Sequence, residues 1–230
     1  MLLESKVAVI TGSTRGIGRA MADAFAAQGA RVVVNGRSGA PEVAAEIPGA
    51  MAVEGDMSDQ ASIDRLVGEV TAELGRIDVL VNNAGISRRS AVTRVTDEEW
   101  EEVIRVNLTG PMYLTRAVVP VMKAQGGGVI INVISGAATV GTAGFSSYAA
   151  AKGGLLGLTM TWSKELTRFG IRSNALSPSA LTDMMRQLPP EILGQMELPL
   201  PEDVVGAAVF LASDLSKSVN GQVISAGHVG

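Results

Sequence analysis

Three observations predict an α/β fold built on a doubly wound parallel sheet. Short runs rich in Val and Ile alternate along the chain with longer segments of helical periodicity, and such alternation builds right-handed βαβ units. Hydrophobic residues make up 47% of the sequence but aromatic residues only 3%. The core is therefore largely Ala, Val, Leu and Ile, which suits helices packed on a sheet buried on both faces. Finally, a glycine-rich turn joins the first strand to the first helix.

The elements follow in order. Val7-Ala8-Val9-Ile10-Thr11 is a β-branched run, followed at once by the turn Gly12-Ser13-Thr14-Arg15-Gly16-Ile17-Gly18 and a helix pattern through Gln28. Arg31 to Asn35 is a second strand and Gly49 to Glu54 a third, after which Ser58-Asp59-Gln60-Ala61 caps a helix reaching about Leu74. Asp78 to Val81 is the fourth strand and stops in Asn82-Asn83-Ala84-Gly85. Asp97 opens one long helix to Gln125, with Trp100, Val103, Ile104, Asn107, Leu108 and Leu114 on its apolar stripe and Gly126-Gly127-Gly128 at its end. Val129 to Ile134 is a fully buried fifth strand that leads into Ser135. A helix from Tyr148 to Phe169, a strand from Ile171 to Leu176, a helix from Glu202 to Ala212 and a strand from Gln222 to Ser225 complete seven strands alternating with helical segments. Residues 179–200, irregular and rich in Met, Leu and Pro, read as a substrate lid.

Composition bounds the function. A chain of 230 residues without a linker or charge block reads as one domain over 1–230. Its net charge of -4 offers no basic stripe and argues against a nucleic-acid partner. With no cysteine there can be no disulfide, thiol catalysis or thiolate metal site. No apolar run reaches the roughly 18 residues of a membrane span, and the first residues enter a strand without the apolar core of a signal peptide. The expectation is a cytoplasmic protein with no membrane partner.

Chemistry-bearing residues gather at the strand ends. A glycine turn between strand and helix lets backbone approach a diphosphate, and the helix start supplies free N–H groups and a positive dipole end. Here the spacing is G-x-x-x-G-x-G. The end of the second strand is where a dinucleotide fold reads the adenosine ribose; Asn35, Gly36 and Arg37 stand there, with no carboxylate until Glu42. Arg37 and Arg15 suit a 2′-phosphate, so NADP(H) is preferred and NAD(H) remains possible. Asp56 accepts from the adenine amino group or begins a turn. Tyr148 and Lys152 lie four apart in an alanine-rich helical segment and leave it on one face. A cation there favours the phenolate and lowers the tyrosine pKa from roughly 10 towards neutrality. Asn107, a polar residue on a buried stripe, needs a partner and either bends its helix or holds a water.

Across essentially its whole length the chain resembles the short-chain dehydrogenase/reductase family. Thr11-Gly12-x-x-x-Gly16-Ile17-Gly18, Asn82-Asn83-Ala84-Gly85, Asn107, Ser135 and Tyr148-x-x-x-Lys152 carry the resemblance, in that order. It implies a Rossmann-type sheet of order 3-2-1-4-5-6-7. It also implies Tyr148 as general acid/base, Lys152 lowering its pKa and binding the nicotinamide ribose, Ser135 on the substrate carbonyl, and Asn107 holding a water in a proton relay. The cofactor would lie along Gly12, Ser13, Thr14, Arg15, Gly16, Ile17 and Gly18, then Arg37, Asp56, Met57, Asn83, Ala84, Gly85, Tyr148, Lys152, Pro178, Ser179 and Thr182. Within the family the chain looks most like the 3-oxoacyl-carrier-protein reductases. That implies a small-molecule or carrier-bound carbonyl substrate, hydride chemistry without a metal, and a homotetramer paired through the helices at 97–125 and 148–169.

The pattern is broken at three places. Pro178-Ser179 replaces the usual Pro-Gly, so that Thr182, counterpart of a threonine on the nicotinamide carboxamide, comes one residue early. The segment between Pro178 and Pro201 is short, and the chain closes on Ser225-Ala226-Gly227-His228-Val229-Gly230, where many members have Asp-Gly-Gly. Two other functions remain open: an NAD-dependent alcohol dehydrogenase working oxidatively, and a catalytically idle nucleotide sensor or scaffold on the same fold.

Overall fold

The computed structural model describes residues 1–182 and 197–227. Most of the predicted lid, 183–196, lies outside the described residues, as does His228. The seven strands are β1 (Val7–Ile10), β2 (Arg31–Gly36), β3 (Met51–Glu54), β4 (Val79–Asn82), β5 (Gly128–Val133), β6 (Ile171–Pro178) and β7 (Val223–Ala226). All pairings are parallel, and the order is the expected β3-β2-β1-β4-β5-β6-β7.

Successive strand residues point to opposite faces, and this splits the core in two. Ala8, Ile10, Val32, Val34, Val79, Val81, Ile131 and Val133 face a layer containing Met21 and Phe25 of α1 (Gly16–Ala27). Val7, Val9, Val33, Leu80 and Ile130 face Ile63 and Leu66 of α3 (Gln60–Leu74) and other helices of the second layer. Each fully buried Val, Leu or Ile contributes about 1.5–3 kcal/mol. These two sets therefore hold the register of the sheet. Between β2 and β3 lies α2 (Ala40–Glu46), a helix the sequence does not predict. Its signals were Pro41 and Glu42 in the first turn, both favourable at a helix start.

The helix predicted over 97–125 is not one helix. It is α4 (Asp97–Ile104), a π-helical turn (Arg105–Thr109) and α5 (Gly110–Ala124). Local chemistry accounts for the interruption. Pro111 has no N–H to return to the Asn107 carbonyl, and the Asn107 amide donates to the Val103 carbonyl, four residues back, at 2.9 Å. Gly110 lies against the Met57 carbonyl, where an added Cβ would come within 2.4 Å. The wide turn thus seats the chain against the loop after β3.

The helix carrying Tyr148 is α6 (Ser146–Leu166). It buries a stripe of Ser147, Ala151, Lys152, Leu155, Thr159, Trp162, Ser163 and Leu166. Leu114, Val118 and Trp162, on the two helices expected to pair between subunits, are core residues. Met112 (36% exposed), Met160 (44%) and Trp100 (42%) do stand at the surface. The chain closes with α7 (Pro201–Val204), α8 (Gly206–Ala212) and β7. Among the described residues no helix is long and apolar enough to cross a membrane.

Candidate active site

Because every strand is parallel, the turns after β1, β4, β5 and β6 open on one edge of the sheet, the crevice in which such folds bind ligands. The turn after β1 is braced from inside. The Thr11 hydroxyl donates to the Val81 carbonyl and accepts from the backbone N–H groups of Asn83 and Ala84, the latter two at 3.0 Å. Asn83 returns the connection, its amide donating to the carbonyls of Thr11 (2.8 Å) and Gly12 (3.1 Å). Ser13 is fully buried; its hydroxyl donates to Ile10 and accepts from the Asn35 N–H. Ser13 and Asn83, both expected on the cofactor, therefore spend their side chains shaping the turn. Thr11 is the bracing residue to which the sequence motif attached no role.

The glycines have distinct duties. Gly12 (φ +63°) lies so close to Ala84 that a Cβ would come within 2.9 Å of its Cα. A Cβ on Gly18 would meet the Gly12 carbonyl at 2.3 Å, so this glycine permits the helix to start against the turn. Gly16 (φ +57°) is exposed, and the nearest atom to its missing Cβ is Thr182 Cγ2 at 4.0 Å. Among the described residues the outer side of the turn is thus open, with Thr182 over it despite the displaced motif. Ile17 packs on the core below.

At the far end of the crevice, Asn35 points inward, its amide donating to the Val53 and Gly55 carbonyls. Gly36 admits no side chain, since a Cβ would stand 2.6 Å from Thr14 Cγ2. Arg37 is therefore the first outward side chain after β2, and like Arg15 it is exposed. Asp56 takes its turn-forming alternative: one carboxylate oxygen accepts from both the N–H (2.9 Å) and the hydroxyl (2.7 Å) of Ser58. Met57 beside it is buried. Arg65 of α3, which the sequence did not single out, reaches back to donate to the Glu54 carbonyl.

The four catalytic candidates meet beyond β4 and β5. Tyr148 is half-buried, edge-on to Phe145 with ring centroids 6.3 Å apart. Ser135 follows β5, its hydroxyl accepting from the Ala137 N–H at 3.3 Å. Lys152 is buried and donates to the Val133 carbonyl at 2.7 Å, with its Nζ 5.7 Å from the Tyr148 ring centroid. Asn107 is wholly buried and donates to the carbonyls of Ile86 (2.8 Å) and Val103, while its Oδ1 has no hydrogen-bond partner among the described residues. A Cβ on Gly85 would lie 2.6 Å from that Oδ1 and 3.6 Å from Lys152 Nζ. Gly85 thus floors a space that both atoms face.

Electrostatics correct one expectation. The Tyr148 pKa is not lowered: burial pushes it up to about 12, against a weaker pull from Ser135. Lys152 is itself brought down to about 8 by burial. Its ammonium is turned to the Val133 carbonyl, and desolvation of the phenolate outweighs it. At neutral pH the pair is a protonated phenol beside a mostly charged lysine.

An open glycine turn, a glycine floor and an orphaned buried amide oxygen fit a dinucleotide along the crevice, its reactive end facing Tyr148. Fold and site together define an oxidoreductase that works with a bound nicotinamide nucleotide. The chain belongs to the short-chain dehydrogenase family, whose model it matches over residues 6–192. It is 41% identical to the 3-oxoacyl-[acyl-carrier-protein] reductase of Thermotoga maritima, with 97% of each chain covered. The same-named enzyme of Synechocystis is 42% identical, over 92% of this chain and 91% of the other. That of Escherichia coli is 36% identical, over 97% and 96%. Among solved structures it resembles a candidate gluconate dehydrogenase from Agrobacterium tumefaciens, with a TM-score of 0.93, 33% identity, and 98% and 95% of the chains covered.

Proposed function

We propose that this protein is an NADPH-dependent ketoreductase acting on 3-oxoacyl thioesters, free or carrier-bound. The observation that carries the reading is the meeting, at the carboxyl ends of β4 and β5, of the Tyr148 hydroxyl with Ser135, buried Lys152 and buried Asn107 above the Gly85 floor. A carbonyl being reduced needs a proton donor, and a tyrosine phenol carries its proton at neutral pH. The bound nicotinamide supplies the hydride. Ser135 and Tyr148 donate hydrogen bonds to the carbonyl oxygen as charge develops on it, each such donor being worth about 3–4 kcal/mol in comparable sites. Tyr148 then gives its proton to that oxygen. Lys152 holds positive charge close to the phenol as the proton leaves. Asn107, through its unpartnered Oδ1, would hold a water from which the proton is replaced.

The named relatives support the 3-oxoacyl class, since three of them are reductases of that substrate over nearly the whole chain. NADP(H) is favoured over NAD(H) because Gly36 has no room for a carboxylate and Arg37 follows it. The alternative of an oxidative dehydrogenase would use the same residues in reverse, and the reductase relatives favour the reductive direction. We further propose that Trp100, Met112 and Met160 mark faces on which copies of the chain pair to form a homotetramer.

Steady-state rates decide the function. Acetoacetyl thioester with NADPH is expected to turn over, and gluconate with NAD is not; the opposite result overturns the reading. Tyr148→Phe keeps the ring packing but removes the donor, so turnover should fall at least a thousandfold with near-normal NADPH binding. Activity within tenfold of the parent would remove Tyr148 from the role.

A further inference from the structure

Beneath the site, on the face of β4 and β5 that α5 and α6 cover, runs a buried chain of polar side chains that the catalytic scheme does not use. Asn82 and Asn132 stand opposite each other in the β4–β5 register. The Asn82 amide donates to Asn132 Oδ1 at 2.8 Å and to the Thr115 hydroxyl of α5 at 3.2 Å. The Asn132 amide donates to the Thr159 hydroxyl of α6 at 2.8 Å, and Thr159 donates onward to the Leu155 carbonyl at 2.8 Å. The bonds run in one direction, because Thr159 gives its only proton to Leu155 and must accept from Asn132. Thr115 and Thr159 are 2% and 1% exposed, Asn82 and Asn132 2% and 0%.

Each member sits on an element that delivers a site residue. Asn82 directly precedes Asn83-Ala84-Gly85, and Asn132 precedes Ser135 by three residues. Thr115 is on the helix that continues from the π turn of Asn107. Thr159 follows Lys152 by seven residues, two turns along the same buried stripe of α6. Apart from the Lys152 bond to the Val133 carbonyl and the Asn220 amide on the Ser163 carbonyl, α6 is seated by apolar contacts, which are non-directional and tolerate small slides or rotations. A hydrogen bond from a strand does not, because shifting the helix leaves a buried amide unpaired at a cost of about 1–3 kcal/mol.

We propose that Asn132 and Thr159 are positioning residues: the Asn82–Asn132–Thr159 chain sets how α6 sits on β5, and so where Tyr148 and Lys152 stand relative to Ser135. The proposal rests on the ketoreductase reading for its kinetic test, but not for its spectroscopic one.

The test compares Thr159→Val, which keeps the shape and removes the hydroxyl, with Thr159→Ser, which restores it, and with Asn132→Leu. Thr159→Val and Asn132→Leu should each lower kcat about tenfold or more with KM for NADPH and ketone within threefold, and Thr159→Ser should stay within twofold of the parent. Combining the two should cost little more than either alone. Independently of substrate, NMR titration of 13Cε-labelled lysine, with Lys152 assigned through Lys152→Met, should show the Lys152 titration moved by half a pH unit or more in Thr159→Val. A parent inert to ketones whose Lys152 titration still moves in Thr159→Val retains the positioning role and rejects the substrate class. A lower melting temperature with kcat and the Lys152 titration both unchanged makes the network merely structural and overturns the proposal. Thr159→Val carries the decision should Asn132→Leu not fold.

Discussion

At the scale of single residues, burial is the dominant force in the site. Lys152, buried and brought down to about 8, contributes a pH-dependent term to stability. Its folded pKa lies below the unfolded value of about 10.4, so the unfolded chain binds more protons between those limits and stability from this group rises with pH across that window. The contribution is present in full above the unfolded value and lost as pH falls through about 8. In Lys152→Met the slope disappears. The stability difference between parent and variant, measured by urea unfolding, should therefore change by about 1–3 kcal/mol between pH 7.5 and 10.5 in favour of the parent at high pH; a flat difference refutes the shifted lysine. Arg37 makes the corresponding prediction for recognition. Two charge-assisted contacts of roughly 1.5–3 kcal/mol each, from Arg37 and Arg15, should favour NADPH over NADH by about ten- to a thousandfold. Arg37→Asp should reverse much of that preference by adding repulsion. Equal or better kcat/KM with NADH in the parent would contradict it.

At the scale of elements, the turns are made by groups that fill or vacate space. Thr11, Ser13 and Asn83 tie the glycine turn to β2 and to the turn after β4, so it is held before any ligand arrives. Gly18→Ala places a methyl group 2.3 Å from the Gly12 carbonyl and 2.4 Å from the Asn83 amide nitrogen, and neither backbone nor braced side chain can yield cheaply. Nucleotide affinity, followed by NADPH fluorescence, should fall at least tenfold, together with a lower melting temperature; unchanged affinity would mean that α1 does not start against the turn. The π turn is the other local device. Asn107 and Pro111 create it, and it puts Asn107 Oδ1 over Gly85 where a regular helix would carry it elsewhere.

At the scale of the whole molecule, the proposed homotetramer would cover apolar side chains that the single chain leaves exposed. Trp100, Met112 and Met160 are such residues on α4, α5 and α6. Two-fold pairing on these faces would give a closed assembly. Light scattering at micromolar concentration should report about four times the 23.7 kDa chain mass, and Met160→Asp should shift it towards smaller species. A parent that runs as a monomer rejects the interface.

The sequence by itself determined the class of sheet, because Val and Ile runs alternating with helical segments build parallel βαβ units, while its strand order followed from the family resemblance. It determined which residues share the crevice, because parallel strands bring all their ends to one edge. It also placed Tyr148 and Lys152 on one face through helical spacing alone. Tertiary structure alone decided what those groups do electrically: spacing suggested a lysine that lowers the phenol, whereas burial raises Tyr148 and lowers Lys152. It likewise decided which apolar positions are core, since Leu114, Val118 and Trp162 fit a surface stripe as well as a buried one until the sheet covers them. The π turn and the polar chain from Asn82 to Thr159 depend on contacts between residues up to 50 apart in sequence. Periodicity is a local signal, whereas desolvation and pairing depend on everything that folds around a residue.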